Sequence, residues 1–421
     1  MKILIKQGRI IDPSSALNGQ LADIFIENGV IARIGQDLTV DADQVVRLDG
    51  AFVSPGWVDV FAQFGDPGLE YKETLETGAA AAAAGGYTDV LVIPNTNPCI
   101  HNKAAVEYVV QKSKTLPARV HPIGAVTRQT EGKELAEMYD MRQSGALAFS
   151  DGTSPIQSAG LLVKALQYVK AFDGIIIQVP DDKSINPHGL MHEGIVSTQL
   201  GLPGKPAMAE ELMVARDIEL LRYADSRLHF TGIASAQSLW SIRKAKEEGL
   251  NVSCSVTPAH LFFTDADLVG YNSNLKINPP LRLQADREAL RQGVLDGSID
   301  CIASHHQPHE YDSKVLEFEY AKYGMISLET AFSALNTAMP DTDPEVWVRL
   351  LAVNPRQLFG LPSASIETGQ PASLTFFEQS GTWTVTEKEL RSKSRNSPFL
   401  GLELNGRVLG TVNQSSIYIN S

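Results

Sequence analysis

The sequence predicts an α/β protein in which a parallel (β/α)8 barrel (TIM barrel) carries a small β-sandwich built from both ends of the chain. Two patterns predict this fold. In the middle of the chain, eight short apolar runs alternate with helix-like stretches. At both ends, short β-like runs are separated by turn residues instead. The predicted domains are the first part of the sandwich, the barrel and the second part of the sandwich, at residues 1–52, 53–361 and 362–421.

The two ends of the chain have the pattern of one small sheet. The N-terminal β-like runs are Lys2–Gln7, Ala22–Glu27 and Val30–Ile34. Turn signals follow them at Asp12-Pro13 and Asn28-Gly29. The C-terminal segment returns to the same pattern, with runs at Ser373–Phe377 and Gly406–Val412. We therefore expect both ends to complete one sheet layer.

The apolar runs of the middle segment are the predicted barrel strands. In chain order they are Val58–Phe64, Thr88–Ile93, Arg119–Ile123, Ala146–Phe149, Gly174–Val179, Leu228–Ile233, Asn251–Val256 and Asp300–Ala303. After the first run, Ala79–Ala84 repeats the best helix former, and Gly85-Gly86 ends the predicted helix. Functional side chains of such barrels lie at the C-terminal ends of the strands. We expect the site there.

Composition excludes several classes of protein. The net charge of −13 and the lack of a basic stripe argue against a nucleic-acid partner. Cys99, Cys254 and Cys301 have no paired spacing, so neither a disulfide framework nor a cysteine zinc site is expected. The apolar run at the N-terminus is too short for a signal peptide, and no run approaches the ~20 apolar residues of a membrane span. We expect a cytoplasmic protein without a membrane partner.

The first predicted barrel strand enters a loop rich in Gly and Pro, and it places Phe61 and Gln63 on one side. This segment resembles the first barrel strand of cyclic amidohydrolases of the amidohydrolase superfamily, and of dihydroorotases most closely. In that family the two positions form a His-x-His metal pair. Phenylalanine cannot ligate a metal, and a glutamine amide is a poor zinc ligand. The chain thus resembles a dihydroorotase that has lost its metal.

The resemblance extends almost from end to end. Further segments similar to the family follow in family order, at Pro67–Glu73, Ile93–Pro98, Val256–Pro258, Lys276–Arg282, Gln307–His309 and Ser392–Gly401. One such segment is a modest signal, whereas the ordered series is specific. The resemblance implies the barrel fold, a place in pyrimidine biosynthesis and a hydrolase-type site.

The resemblance also implies that most metal ligands are replaced. The family positions of histidine ligands correspond here to Phe61, Gln63, Gln178 and Gly232, an aspartate that is both ligand and general base corresponds to His305, and Asp151 retains the position of a bridging carboxylate. Gly65 replaces an arginine that grips the substrate carboxylate. The family attacks a cyclic amide with a metal-bound hydroxide, whose pKa the metal lowers to about 7. We therefore expect no catalytic residue, no metal and no other cofactor.

Three polar residues match positions that contact substrate in the family: Asn95, Asn278 and His309. They predict either a vestigial substrate pocket or residues that only shape loops, because Asn and Pro favour fixed turns. A replacement metal site built from His305, His306 and His309 is a less favoured hypothesis.

Two functions of different classes follow from these residues. The first is a non-catalytic structural partner, because some dihydroorotase-like chains without the metal residues hold together assemblies of aspartate transcarbamoylase. Such a chain could also be a homo-oligomer. The alternative is an active metal-dependent amidohydrolase with a remodelled site. It would use zinc to close the ring of N-carbamoyl-L-aspartate or act on a related ring.

Overall fold

The computed structural model describes residues 1–420, which form an α/β fold. The strands in chain order are β1 (Lys2–Ile10), β2 (Leu21–Glu27), β3 (Val30–Gly35), β4 (Gln44–Arg47), β5 (Phe52–Pro55), β6 (Trp57–Ala62), β7 (Tyr87–Val92), β8 (Arg119–Pro122), β9 (Ile176–Gln178), β10 (Met191–His192), β11 (Gly204–Lys205), β12 (Leu228–Phe230), β13 (Val252–Val256), β14 (Cys301–Ile302), β15 (Ser373–Thr384), β16 (Glu403–Asn413) and β17 (Ser416–Ile419).

The helices surround and connect these strands. In chain order they are α1 (Leu75–Ala84), α2 (Lys103–Ser113), α3 (Met138–Gln143), α4 (Ala159–Lys170), α5 (Ile195–Leu200), α6 (Met208–Ala224), α7 (Ala236–Glu247), α8 (Pro258–Phe262), α9 (Gln284–Asp296), α10 (Ala331–Ala338), α11 (Pro344–Val348) and α12 (Asn354–Phe359). Short 3₁₀ helices and one π-helix (Arg349–Val353) lie between them. Within residues 1–420, no helix is both long and apolar enough to span a membrane.

The two ends of the chain share one sheet, as predicted. Its order is β17-β16-β15-β5-β1-β2-β3, and β4 pairs with β1. The antiparallel pair of β5 and β15 joins the two ends, with Val53 opposite Phe376. The sheet has its own apolar core, which contains Ile3, Ile24 and Leu374. In residues 1–420 these eight strands are hydrogen-bonded into one continuous sheet, so the layers expected of a sandwich are not separate sheets.

Two further sheets form a circuit of parallel pairings. One sheet has the order β6-β7-β8 and another the order β14-β13-β12-β9. Phe149 links the two sheets through parallel bridges to Gly124 and Ile176. The bridge between Ala62 and His306 closes the circuit on the other side.

The fourth predicted strand contributes only single-residue pairings to this circuit. The run 146–149 faces the end of β8, where Pro122 lies. Proline has no N–H group to donate to a neighbouring strand, so the ladder is interrupted there. Phe149 keeps its place by donating its own N–H to the carbonyl of Ile175 at 3.0 Å.

The helix after the first barrel strand begins earlier than the alanine run suggests. Thr74 caps the N-terminus of α1, its hydroxyl accepting from the N–H of Thr77 in a capping box. Gly85 ends the helix, as predicted. An added Cβ at Gly85 would lie 2.2 Å from the carbonyl oxygen of Leu328, so close packing also requires glycine there.

Candidate functional site

A cavity of about 280 Å³ opens at the C-terminal ends of the parallel strands. Its lining residues are Phe61, Gln63, Ile93, Thr153, Val179, Asn278, His305, His306, Gln307, His309, Lys322 and Tyr323. No Asp or Glu belongs to this lining. The position matches the expected site, but the lining lacks the carboxylates that a hydrolytic metal centre uses.

Phe61 and His305 line the cavity and pack against each other. Their rings stack with centroids 4.6 Å apart and an angle of 33° between the planes. The other side of the imidazole is fixed by a hydrogen bond of 2.8 Å between His305 Nε2 and Thr231 Oγ1. Burial, with smaller contributions from His260 and His229, lowers the pKa of His305 to about 3. His305 is therefore a neutral imidazole held by its neighbours.

A chain of hydrogen bonds continues from His305 into the neighbouring strands. Ser255 Oγ donates to Thr231 Oγ1 at 2.9 Å, and the imidazole of His229 lies between Ser253 and Ser255 at 2.8 and 3.0 Å. Burial lowers the pKa of His229 to about 3, so this ring is also neutral. We did not predict this network from the sequence. Its signal is the alternation of polar and apolar residues in β12 and β13.

Gln63 lines the cavity, but its amide group is engaged. Its Nε2 donates to the main-chain carbonyl of Asn95 at 3.0 Å. The side chain of Asn95 in turn joins the neighbouring loop, accepting from Thr153 N and donating to the carbonyl of Asp151, each at 3.2 Å. Asn95 does not line the cavity. Its geometry fits the loop-shaping alternative.

Asp151 is the one predicted ligand that the sequence retains, and it does not line the cavity. Its carboxylate accepts from the N–H of Thr127 at 2.8 Å and from the hydroxyl of the same residue. Burial raises the pKa of Asp151 to about 6, although the bonds from Thr127 act in the opposite direction. The carboxylate thus fixes the loop after β8.

Gln178, at a ligand position of the family pattern, points away from the cavity. Its side chain is buried outside the cavity and bonds to the main chain of Ile156 and to Asp217 on α6, each at 3.3 Å. Val179 is the residue of this strand end that lines the cavity. The reason is the two-residue alternation of a strand, which turns Ile177 and Val179 inward when Gln178 faces the helices. A valine cannot ligate a metal.

Two glycines leave no room for the side chains that the family pattern has at their positions. Gly232 has φ +69°, and an added Cβ would lie 2.4 Å from Cε1 of His305. An added Cβ at Gly65 would lie 2.3 Å from the carbonyl oxygen of Leu69. A histidine at 232 would compete with His305 for space, and an arginine at 65 would require a different loop.

Asn278 and His309 both line the cavity, as predicted. Asn278 Oδ1 accepts from Lys205 Nζ at 3.0 Å, and its Nδ2 donates to Asp181 at 3.1 Å. Burial and then nearby Lys72 lower the pKa of His309 to about 4. Its Nε2–H donates to the carbonyl of Tyr323 at 2.7 Å, because a carbonyl can only accept.

His306 is held by the main chain and by a carboxylate. Its Nδ1 accepts from the N–H groups of Ser327 and Leu328 at 3.1 and 3.4 Å, so its proton is on Nε2. That Nε2–H points to Glu73 at 3.4 Å. The three histidines of the hypothetical replacement metal site therefore have other partners.

The residues that line the cavity do not fit a zinc ion. Zinc requires three or four His, Cys, Asp or Glu donors converging at about 2.0–2.3 Å. Among the described residues, no group of three such side chains is placed to hold a metal. At the strand ends the lining carries Phe61, Gln63 and Val179. The imidazole of His305 is stacked on Phe61 and bonded to Thr231.

Comparisons with known proteins agree on one family. A family model described as "Dihydro-orotase-like" matches residues 50–238. The dihydroorotase of Syntrophus aciditrophicus (strain SB) is 40% identical, and the match covers 99% of each chain. The dihydroorotase of Pelotomaculum thermopropionicum is 40% identical over 98% of this chain and 97% of its own.

Among solved structures, the L-hydantoinase (dihydropyrimidinase) of Arthrobacter aurescens superimposes with a TM-score of 0.86. The match covers 99% of this chain and 96% of the other, at 23% sequence identity. At this identity the likeness shows a shared fold and carries no statement about activity.

Proposed function

Because the chain belongs to the dihydroorotase family, we propose that it is a non-catalytic member of de novo pyrimidine biosynthesis that acts as a structural partner of aspartate transcarbamoylase. We also infer that its circuit of parallel strands is the (β/α)8 barrel of that family. Relatives named dihydroorotase match nearly the whole chain, which supports the pathway. The residues that line the cavity support the proposed inactivity. The resemblance to the family supports the proposed partner.

The Phe61–His305 stack carries the argument for inactivity. Both rings line the cavity, and Thr231 holds His305 through a hydrogen bond of 2.8 Å. A large apolar ring removes a donor and also dries the space in which a hydrated metal would lie. The arrangement does not fit a metal-bound hydroxide.

The residue at the general-base position has the wrong charge for the task. An aspartate there would be anionic at neutral pH, whereas burial lowers the pKa of His305 to about 3. Its Nε2 is already bonded to Thr231. A general base needs an accessible acceptor and a pKa near the working pH. With a pKa of about 3, His305 is too weak a base for this task.

The direct test is activity and metal content of the purified protein. We expect no interconversion of N-carbamoyl-L-aspartate and dihydroorotate above background in either direction, with or without added zinc. Elemental analysis should find less than stoichiometric zinc after dialysis. The dihydroorotase of Syntrophus aciditrophicus, assayed in parallel, is the positive control. Zinc-dependent turnover that a chelator abolishes would establish the alternative of an active amidohydrolase.

A restoration experiment separates a dead site from one that lacks only two ligands. The double variant Phe61→His/Gln63→His should gain no turnover, because Val179, Gly232 and His305 still provide neither ligands nor a base. In the matched control, the two corresponding residues of the Syntrophus aciditrophicus dihydroorotase are replaced by Phe and Gln, and its turnover should be lost. Turnover in the double variant would contradict the proposal.

The partner is tested separately. We expect native mass spectrometry of the chain mixed with aspartate transcarbamoylase of the same organism to show a complex of fixed stoichiometry. The mass of the chain alone gives its self-association. If no complex forms at micromolar concentrations, the structural role fails even when the activity test supports inactivity.

A further inference from the structure

The segment of residues 310–324 forms one wall of the cavity. It follows β14 and contributes Lys322 and Tyr323 to the lining. It contains a 3₁₀ helix (Tyr311–Ser313) but no longer element. Tyr311 is 76% exposed, so the outer side of the segment faces solvent. The contacts between this segment and the residues beneath it hold it in place over the cavity.

Lys276 lies under this segment and is almost fully buried, with 2% of its surface exposed. Its Nζ donates to the carbonyl oxygens of Phe318 and Glu319 at 2.6 and 2.9 Å. The amine also lies 4.9 Å from the ring centroid of Tyr323. No carboxylate of residues 1–420 forms an ion pair with it. A lysine is rarely buried without such a partner.

Lys314 repeats the arrangement inside the segment. It is 5% exposed, and its Nζ donates to the carbonyl oxygens of Lys322 and Gly324 at 2.7 and 3.0 Å. Lys314 likewise has no ion pair with a described carboxylate. Each amine thus serves two acceptors, which is the number of N–H donors that an uncharged amine has. A third donor on the ammonium group of Lys314 would have no partner, and that of Lys276 would face only the rings of Phe318 and Tyr323.

We propose that residues 310–324 are a pH-sensitive lid over the cavity, held closed by uncharged amines of Lys276 and Lys314 and released when these amines take up protons. The two lysines hold four carbonyl oxygens of the same segment. Charging them in place would bury two like charges without counterions, which is costly.

The surroundings of both amines shift their protonation toward the uncharged form. Burial lowers the pKa of Lys276 to about 8, with Glu319 opposing and Lys322 adding to the effect. Burial, and then Lys276, lower the pKa of Lys314 to about 7. The other charged or titratable groups that act on this corner of the cavity are His309, Lys72 and Glu310.

Proton linkage gives the direction in which pH changes the population of the open lid. In an open lid both amines would return to the ordinary lysine pKa of 10.5, so the open lid binds more protons than the closed one. Lowering the pH therefore favours opening. With closed-state pKa values of about 8 and about 7, the open population rises by as much as about a thousandfold between pH 9 and pH 6.

Hydrogen exchange of the full chain tests this lid. Protection factors, which remove the intrinsic pH dependence of exchange, should fall by 100-fold or more for amides of residues 314–324 between pH 9 and pH 6. Amides of β13 should change little. A change of less than threefold in the segment would overturn the proposal.

Variants distinguish the effect of amine protonation from a general loss of stability in the segment. Lys314→Met and Lys276→Met should each flatten the pH dependence, even if the lost hydrogen bonds lower protection at every pH. Lys393→Met is the matched control, because its exposed amine also donates to a main-chain carbonyl, that of Glu70 at 2.7 Å. It should retain the wild-type slope. Wild-type slopes in both of the first two variants would contradict the proposed role.

Discussion

Gly232 and His305 compete for the same space, and this competition gives a quantitative test of the site. We expect Gly232→Ala to destabilise the fold, because the new Cβ would lie 2.4 Å from Cε1 of His305. The imidazole cannot retreat without losing its stack on Phe61 or its hydrogen bond to Thr231. The backbone at φ +69° adds a second penalty for any side chain.

The two penalties can be separated. A left-handed backbone costs a residue with a Cβ roughly 1–2 kcal/mol, and overpacking a filled site costs roughly 1–3 kcal/mol. Gly201 has φ +68° and nothing within 4 Å of an added Cβ, so Gly201→Ala carries only the first penalty. Gly232→Ala should therefore cost about 2–5 kcal/mol and Gly201→Ala about 1–2 kcal/mol.

The assay is a double-mutant cycle of urea denaturation with Gly232→Ala and His305→Ala. When the imidazole is removed, the steric penalty at 232 disappears and only the backbone penalty remains. The coupling energy should be about 1–3 kcal/mol, as for other residues in direct contact. Additive effects within about 0.5 kcal/mol would refute the claim that His305 excludes a side chain at 232.

Two further predictions concern buried charges. Arg356→Met should cost about 3–5 kcal/mol at pH 7, because buried Asp89 loses its ion pair at 2.8 Å and keeps only hydrogen bonds to His121 and Thr88. Urea denaturation at several pH values should show the loss shrinking as pH falls and the carboxyl takes a proton. Burial raises the pKa of Asp151 to about 6, so the contribution of this carboxyl to stability falls as pH rises from 4 to 7. In the same assay the stability of Asp151→Asn relative to the wild type should rise by roughly 2–3 kcal/mol over that range, and a constant difference would contradict this.

Much of the fold could be predicted because its strands are apolar runs bounded by turn residues. The predicted runs at both chain ends lie inside observed strands, as Ser373–Phe377 lies inside β15. The extent of the fourth barrel strand was harder to predict. Its apolar pattern is that of a strand, but Pro122 at the end of the neighbouring strand has no N–H group for the ladder. The sequence of one strand does not show whether the adjacent strand offers the main-chain N–H groups that it needs for pairing.

The orientation of Gln178 could not be predicted for a similar physical reason. A strand buried on both faces is apolar throughout, so alternation does not tell which residues face the interior of the barrel. Ile176 and Ile177 are both fully buried, one toward the helices and one toward the centre. The buried amines of Lys276 and Lys314 were also beyond prediction, because lysine in a sequence indicates a solvated position.

The polar residues that match the family here have bonds that explain their presence without catalysis. Asn95 accepts from the N–H of Thr153, and Asp151 accepts from the N–H of Thr127. Both bonds satisfy main-chain donors of loops at the barrel mouth, and an unsatisfied buried donor costs about 1–3 kcal/mol. A chain that no longer binds a metal would still need these residues to fold. The loops can thus keep the family's motifs while an inward position such as 61 carries an apolar ring.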